Sequence, residues 1–96
     1  MSQVIVSSSE ERTLKPLVEA AIRSQLRELE LGIQRTQARL RDFESRYHMP
    51  TEEFHRRLTE DELEETLEFI EWEGERKLLS ALEEDRQVLL NSRVWS

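Results

Sequence analysis

From Ile22 onward the chain sets an apolar side chain at every third or fourth position. The series is Ile22, Leu26, Leu29, Ile33, Thr36, Leu40, Phe43 and Tyr47, at spacings of 4, 3, 4, 3, 4, 3 and 4, and only Thr36 interrupts it. Such a heptad pattern keeps one narrow stripe of a helix against a neighbouring helix, whereas a strand would need a period of two. Met49-Pro50-Thr51 ends this helix, because the residue before a proline is pushed out of the helical region and threonine offers a new cap. Upstream, Thr13 reads as the starting cap with Pro16 in the first turn, where a missing N–H is harmless. A start at Ser9 instead places Pro16 inside the helix and bends it.

After a short helical segment around Glu52–Arg57, Thr59-Glu60-Asp61-Glu62 reads as a capping box, which predicts a second long helix from about Glu60 to about Asn91. Its seam is Leu63, Leu67, Ile70, Gly74, Leu78 and Leu82, with Leu89 one heptad beyond. Ala, Glu, Leu, Arg and Lys make up 50 of 96 residues, the composition of long helices, and two glycines and two prolines leave few turns. The expected fold is all-α: an antiparallel two-helix hairpin (long helix, short connector helix, long helix), dimerising into a four-helix bundle. Residues 1–12, with Val4-Ile5-Val6, are expected as a flexible segment or short strand, 13–91 as the hairpin and 92–96 as a frayed tail.

With Tyr47 facing Glu60, opposed residue numbers add to about 107. Leu40 then meets Leu67, Leu29 meets Leu78, and Ile33 meets Gly74 beside Gly32, so the two glycines lie together at mid-hairpin. The core expected on this register is Leu26, Leu29, Ile33, Leu40, Phe43, Leu63, Leu67, Ile70 and Leu78. Phe69 and Trp72 then fall almost opposite the second seam, with Leu79 and Leu90 near the same side. Helix one repeats this more weakly through Leu17, Ala20, Leu31 and Ala38. Two apolar stripes per helix imply a covering surface: a second copy in a homodimer, or another protein.

Charge divides unevenly along the chain. Residues 1–48 carry 8 basic and 7 acidic side chains, while residues 49–96 carry 6 and 14. Nine acids and no base fall between Glu60 and Glu75, more than Arg35, Arg39, Arg41 and Arg46 across the hairpin can neutralise. One reading is a solvated helix face. The sharper one is a partner-binding face made of Phe69, Trp72, Glu65, Glu68, Glu73 and Leu79, suited to a basic protein surface.

A net charge of −7 opposes phosphate-backbone binding, so no direct nucleic-acid ligand is expected, and no ribbon-helix-helix break is seen near residues 20–30. The absence of cysteine excludes disulfides and thiolate chemistry and fits a cytoplasmic setting. Apolar runs no longer than triplets argue against a membrane span. Glu52 and His55 form one Glu-x-x-His, the spacing of ferritin-like di-iron sites, to which a dimer would add Glu64, Glu68 or Glu71. Glutamate is almost a fifth of the chain, so such a match arises readily by chance; no metal or cofactor is expected, and no catalytic arrangement is apparent. A di-metal protein assembled at a dimer interface and a purely structural coiled-coil adaptor stand as the alternatives to partner binding.

Three stretches carry a family resemblance: Glu11-Arg12-Thr13-Leu14-Lys15-Pro16-Leu17-Val18-Glu19-Ala20, Phe43-Glu44-Ser45-Arg46-Tyr47-His48-Met49-Pro50-Thr51-Glu52-Glu53-Phe54 and Leu63-Glu64-Glu65-Thr66-Leu67-Glu68-Phe69-Ile70-Glu71-Trp72. Together, over about residues 11 to 84, the sequence resembles small helical antitoxin-like proteins of prokaryotic toxin–antitoxin loci. The resemblance implies inhibition by binding, with a small RNA-directed toxin as partner, and no catalytic residue carries over; the acidic second helix adds the expectation that this protein toxin is basic. The chain departs from the pattern at His48, where relatives tend to have glycine, the residue suited to a left-handed turn at a helix end.

Overall fold

The structure, a computed structural model, describes residues 8–92, with side chains from Arg12 onward. Three helices follow in order: α1 Ser8–Tyr47, α2 Thr51–Thr59 and α3 Leu67–Ser92. No strand occurs among the described residues. α1 and α3 lie antiparallel and α2 fills the turn, so the molecule is the expected all-helical hairpin. Its longest dimension is 61 Å, about what the 40 residues of α1 span at 1.5 Å each.

α1 begins at Ser8 rather than at Thr13, and Pro16 lies inside it. Without an N–H, Pro16 leaves the Arg12 carbonyl without its usual helical donor. The Ser-Ser-Glu-Glu sequence at positions 8–11 supplies the small polar and acidic residues that favour a helix start, which accounts for the earlier beginning. The boundary expected after residue 12 is therefore absent. Val4-Ile5-Val6 lies outside the described residues, as does the tail after Ser92, itself the last helical residue.

The heptad stripe of α1 forms the spine of the core. Leu26, Leu29, Ile33, Leu40 and Phe43 are all buried, and Thr36 is buried among them. At its end, the Met49 N–H donates to the Glu44 carbonyl while His48 takes φ 55°. Six-to-one bonding around a left-handed residue is a Schellman turn. α2 ends the same way, with Glu62 N–H donating to Arg57 O, Asp61 N–H to Leu58 O, and Asp61 at φ 57°. Neither turn uses glycine; both glycines are inside the long helices.

These turns correct the second capping box. Thr59 is the last residue of α2 and donates its hydroxyl back to the His55 carbonyl, so it starts nothing. α3 is capped instead by Thr66, whose hydroxyl oxygen accepts the Phe69 N–H at 3.1 Å. A longer connector shifts the register by about one heptad. Arg39 pairs with Glu75, Phe43 stacks on Trp72 and Glu30 pairs with Arg86, so opposed residue numbers add to 114, 115 and 116. Gly32 accordingly faces Leu82, and Gly74 has nothing within 4 Å of where a Cβ would stand; the two glycines do not meet.

The same shift, with a rotation of α3, exchanges its two stripes. Leu67, Ile70 and Leu78, expected in the core, are 81%, 53% and 43% exposed, and only Leu63 of that expected group is half-buried against the core. Trp72 is wholly buried, with Phe69 and Leu79 packed beside it. The reason is the ring content of the opposing surfaces. The α1 stripe ends in Phe43 and Tyr47, and α2 adds Phe54, so aromatic residues of α3 bury more area there and gain ring contacts that leucines would not.

Candidate functional site

Five of the six aromatic side chains in the chain meet at the closed end of the hairpin, the sixth being Trp95, outside the described residues. Phe54 and Trp72 are parallel to within 2° with centroids 3.9 Å apart, and Phe43 lies parallel to the same indole at 5.4 Å. Tyr47 meets Phe69 edge to face at 5.1 Å. A buried indole needs an acceptor, and Trp72 Nε1 donates to the Thr51 hydroxyl at 3.0 Å. Phe69, Trp72 and Leu79 are thus core residues, which removes them from the partner-binding face.

Acidic side chains of the expected face divide into two groups. Glu73 is half-buried, takes two bonds from Arg76 (Nε 2.8 Å, Nη2 3.0 Å) and lies 3.0 Å from His55 Nδ1 on α2. Hydrogen bonding from Arg76 holds its carboxyl below the usual glutamate value, against a smaller opposing effect of burial. Glu68 pairs with Arg46, Glu75 with Arg39, and Glu60 and Glu62 with Arg56. These ion pairs tie α3 to α1 and close the connector. Asp61, Glu64, Glu65 and Glu71, all exposed, enter no ion pair among the described residues.

What α3 offers to solvent is therefore aliphatic and mainly acidic, with Lys77 the one base beside the stripe. Leu67, Ile70, Gly74, Leu78, Ala81 and Val88 recur at helical spacing on the side turned away from α1, and the first five have no charged residue among them except at the rim. Glu64 and Glu65 precede the stripe, Glu71 borders it on one side and the exposed Lys77 on the other. Of the partner-binding residues expected from sequence, Glu65 alone is both exposed and outside any ion pair among the described residues. An exposed apolar stripe is present on this helix, made of residues other than those expected.

Glu52 and His55 share α2, but the imidazole is engaged by Glu73 rather than joined to further ligands. Among the described residues, no group of three or more His, Cys, Asp or Glu side chains is placed to hold a metal ion. Nor is any described helix long and apolar enough to cross a membrane.

The fold and this face define a class: a small all-helical hairpin with an aromatic core at one end and an acidic, aliphatic outer helix face. No protein-family model, curated protein or solved structure matches the chain.

Proposed function

We propose that the protein is a non-enzymatic, antitoxin-like binding protein whose α3 outer face docks on a basic protein partner and neutralises it. The observation that carries this reading is the stripe of Leu67, Ile70 and Leu78, exposed by 81%, 53% and 43%, bordered by the unpaired carboxylates of Glu64, Glu65 and Glu71. Aliphatic side chains in water gain about 25 cal/mol for each Å² that a partner covers, which supplies affinity. Unpaired carboxylates at the rim repel acidic surfaces and attract basic ones, which supplies the choice of partner and speeds encounter. The resemblance to antitoxin-like proteins agrees with binding as the whole activity. The acting form is a homodimer.

Co-expression with the product of the adjacent gene, followed by purification and titration calorimetry, tests the reading. A complex is expected whose affinity weakens with added salt and falls at least about tenfold, roughly 1.4 kcal/mol, in Ile70→Glu. A complex unaffected by Ile70→Glu and Leu67→Glu would place the contact elsewhere. The same affinity in Phe69→Leu, provided the variant folds, separates the outer face from the core.

A further inference from the structure

The outer side of α3 changes character along its length. Glu64, Glu65 and Glu71 stand around its start, but Gly74, Ala81 and Val88 then follow one heptad apart on a line directly opposite Trp72, counting 100° per residue. Trp72 is wholly buried, so this is the outermost line of the helix, and all three residues on it are exposed, Val88 by 62%. Lys77 and Glu84, also exposed and also one heptad apart, lie about 50° to one side of it.

Neither of these charges is used within the chain. Lys77 and Glu84 enter no ion pair among the described residues, whereas the other two bases of α3, Arg76 and Arg86, pair with Glu73 and Glu30. Seven positions set Lys77 and Glu84 about 10 Å apart along the axis, twice the spacing at which helical neighbours pair. The first turns of the face hold acids alone. This later part holds one charge of each sign on one flank.

We propose that a second copy of this chain covers the line, its α3 packed antiparallel on the first about a two-fold axis between Ser80 and Ala81. A two-fold contact must be complementary to itself. An axis perpendicular to both helices reverses their direction but keeps each flank facing the same flank of the copy. Opposed residue numbers then add to 161, so Lys77 lies level with Glu84 of the second copy and Glu84 with Lys77 of the second copy, on one flank. Two ion pairs result; a parallel pairing would set each charge level with its own like. Ala81 meets its own copy at the axis, where small side chains let the helices approach closely, and Val88 comes beside Gly74 of the second copy, a seat that glycine or alanine leaves shallow. The overlap takes in residues 69–92, about 36 Å of helix. Glu64, Glu65 and Leu67 lie past its end, Ile70 stands at its edge, and Glu71 and Leu78 are on the other flank, so the acidic start of the face stays open. This assigns a face to the dimer of the preceding reading and rests on that dimer, not on its basic partner.

Sedimentation equilibrium on the full chain tests the assignment. The wild-type protein is expected at about twice the 11.5 kDa chain mass. Ala81→Glu puts a carboxylate at the axis beside Glu84 and is expected at about the chain mass, with helical circular dichroism retained because the position is exposed. Lys77→Glu and Glu84→Lys are each expected to weaken association several-fold, and the double reversal Lys77→Glu with Glu84→Lys to restore it. Leu67→Glu is expected to leave the mass unchanged. A wild-type protein that stays monomeric up to millimolar concentration overturns the proposal. So does a dimer insensitive to Ala81→Glu, a double reversal that fails to recover association, or a mass that climbs without limit as in head-to-tail assembly. Intact dimers that bind no basic partner defeat only the preceding reading, whereas a basic partner bound by a monomeric wild-type chain defeats only this one.

Discussion

Trp72 and Thr51 are joined by a buried hydrogen bond, indole Nε1 donating to the hydroxyl at 3.0 Å, and the Thr51 N–H donates in turn to the Glu44 carboxylate at 2.7 Å. One threonine therefore links all three helices. Its own hydroxyl is not the cap of α2; Pro50 holds the cap position and the carboxylate of Glu44, from the last turn of α1, serves the free N–H. Thr51→Val keeps the shape but strands the indole donor and is expected to destabilise by about 1–3 kcal/mol. Thr51→Ser is expected to recover most of that loss. Urea unfolding midpoints of the three proteins check it.

The exchange of stripes on α3 gives opposite expectations for neighbouring residues. Trp72→Ala opens a cavity in the wholly buried cluster and is expected to cost about 3–5 kcal/mol, enough to unfold a small hairpin. Ile70→Ala removes an exposed side chain and is expected to change stability by no more than about 0.5 kcal/mol. Equal losses at both positions in thermal unfolding would contradict the orientation of α3.

Acid should loosen the junction between α2 and α3. Arg76, by hydrogen bonding, lowers the pKa of Glu73 below its ordinary value of 4.5. As pH falls, the unfolded state binds this proton first, so stability rises with pH across the interval between the two pKa values. The contribution is complete above the unfolded pKa and is lost as pH drops through the folded one. Unfolding midpoints are expected to fall as pH drops below the ordinary glutamate value of 4.5, and Glu73→Gln to make that fall shallower.

The α1 stripe was legible in sequence because its heptad series, broken only at Thr36, far outweighs the weak far-face series of Leu17, Ala20, Leu31 and Ala38, and Leu26 through Phe43 occupy the buried face. α3 carries two apolar series, aliphatic and aromatic, and periodicity alone ranks neither. The deciding partners, Phe54 on α2 and the hydroxyl of Thr51, come from the connector, where no period operates. A stronger signal was available in the indole itself, since a buried Trp72 requires an acceptor and Thr51 begins the nearest segment. The register failed for a related reason: Thr59 followed by Glu62 satisfies a capping box in sequence, yet bonding of Glu60, Asp61 and Glu62 back into α2 takes those residues for a helix end.

His48 occupies the left-handed position that closes α1 at φ 55°. For a residue with a Cβ this conformation costs about 1–2 kcal/mol, partly offset against glycine by the larger chain entropy glycine loses on folding. His48→Gly is therefore expected to stabilise by about 0.5–1 kcal/mol. His48→Val, β-branched, should destabilise. A parallel pair at Asp61, with φ 57°, tests whether the same backbone argument governs the end of α2.

Gly32 and Gly74 stand inside long helices, where glycine is about 1 kcal/mol less favourable than alanine. Their surroundings differ. A Cβ on Gly74 meets nothing within 4 Å, so Gly74→Ala is expected to return most of that amount and to raise the melting temperature. A Cβ on Gly32 lies 3.4 Å from Leu82 Cδ1, an ordinary contact, so Gly32→Ala is also expected to stabilise, by less if Leu82 must shift. In the shorter register, with the two glycines facing each other, both substitutions would push the helices apart and destabilise. Differential scanning calorimetry on the two variants and their combination thus reads the register directly: gains that add support Gly32 opposite Leu82, and losses that exceed their sum would restore the glycine pair.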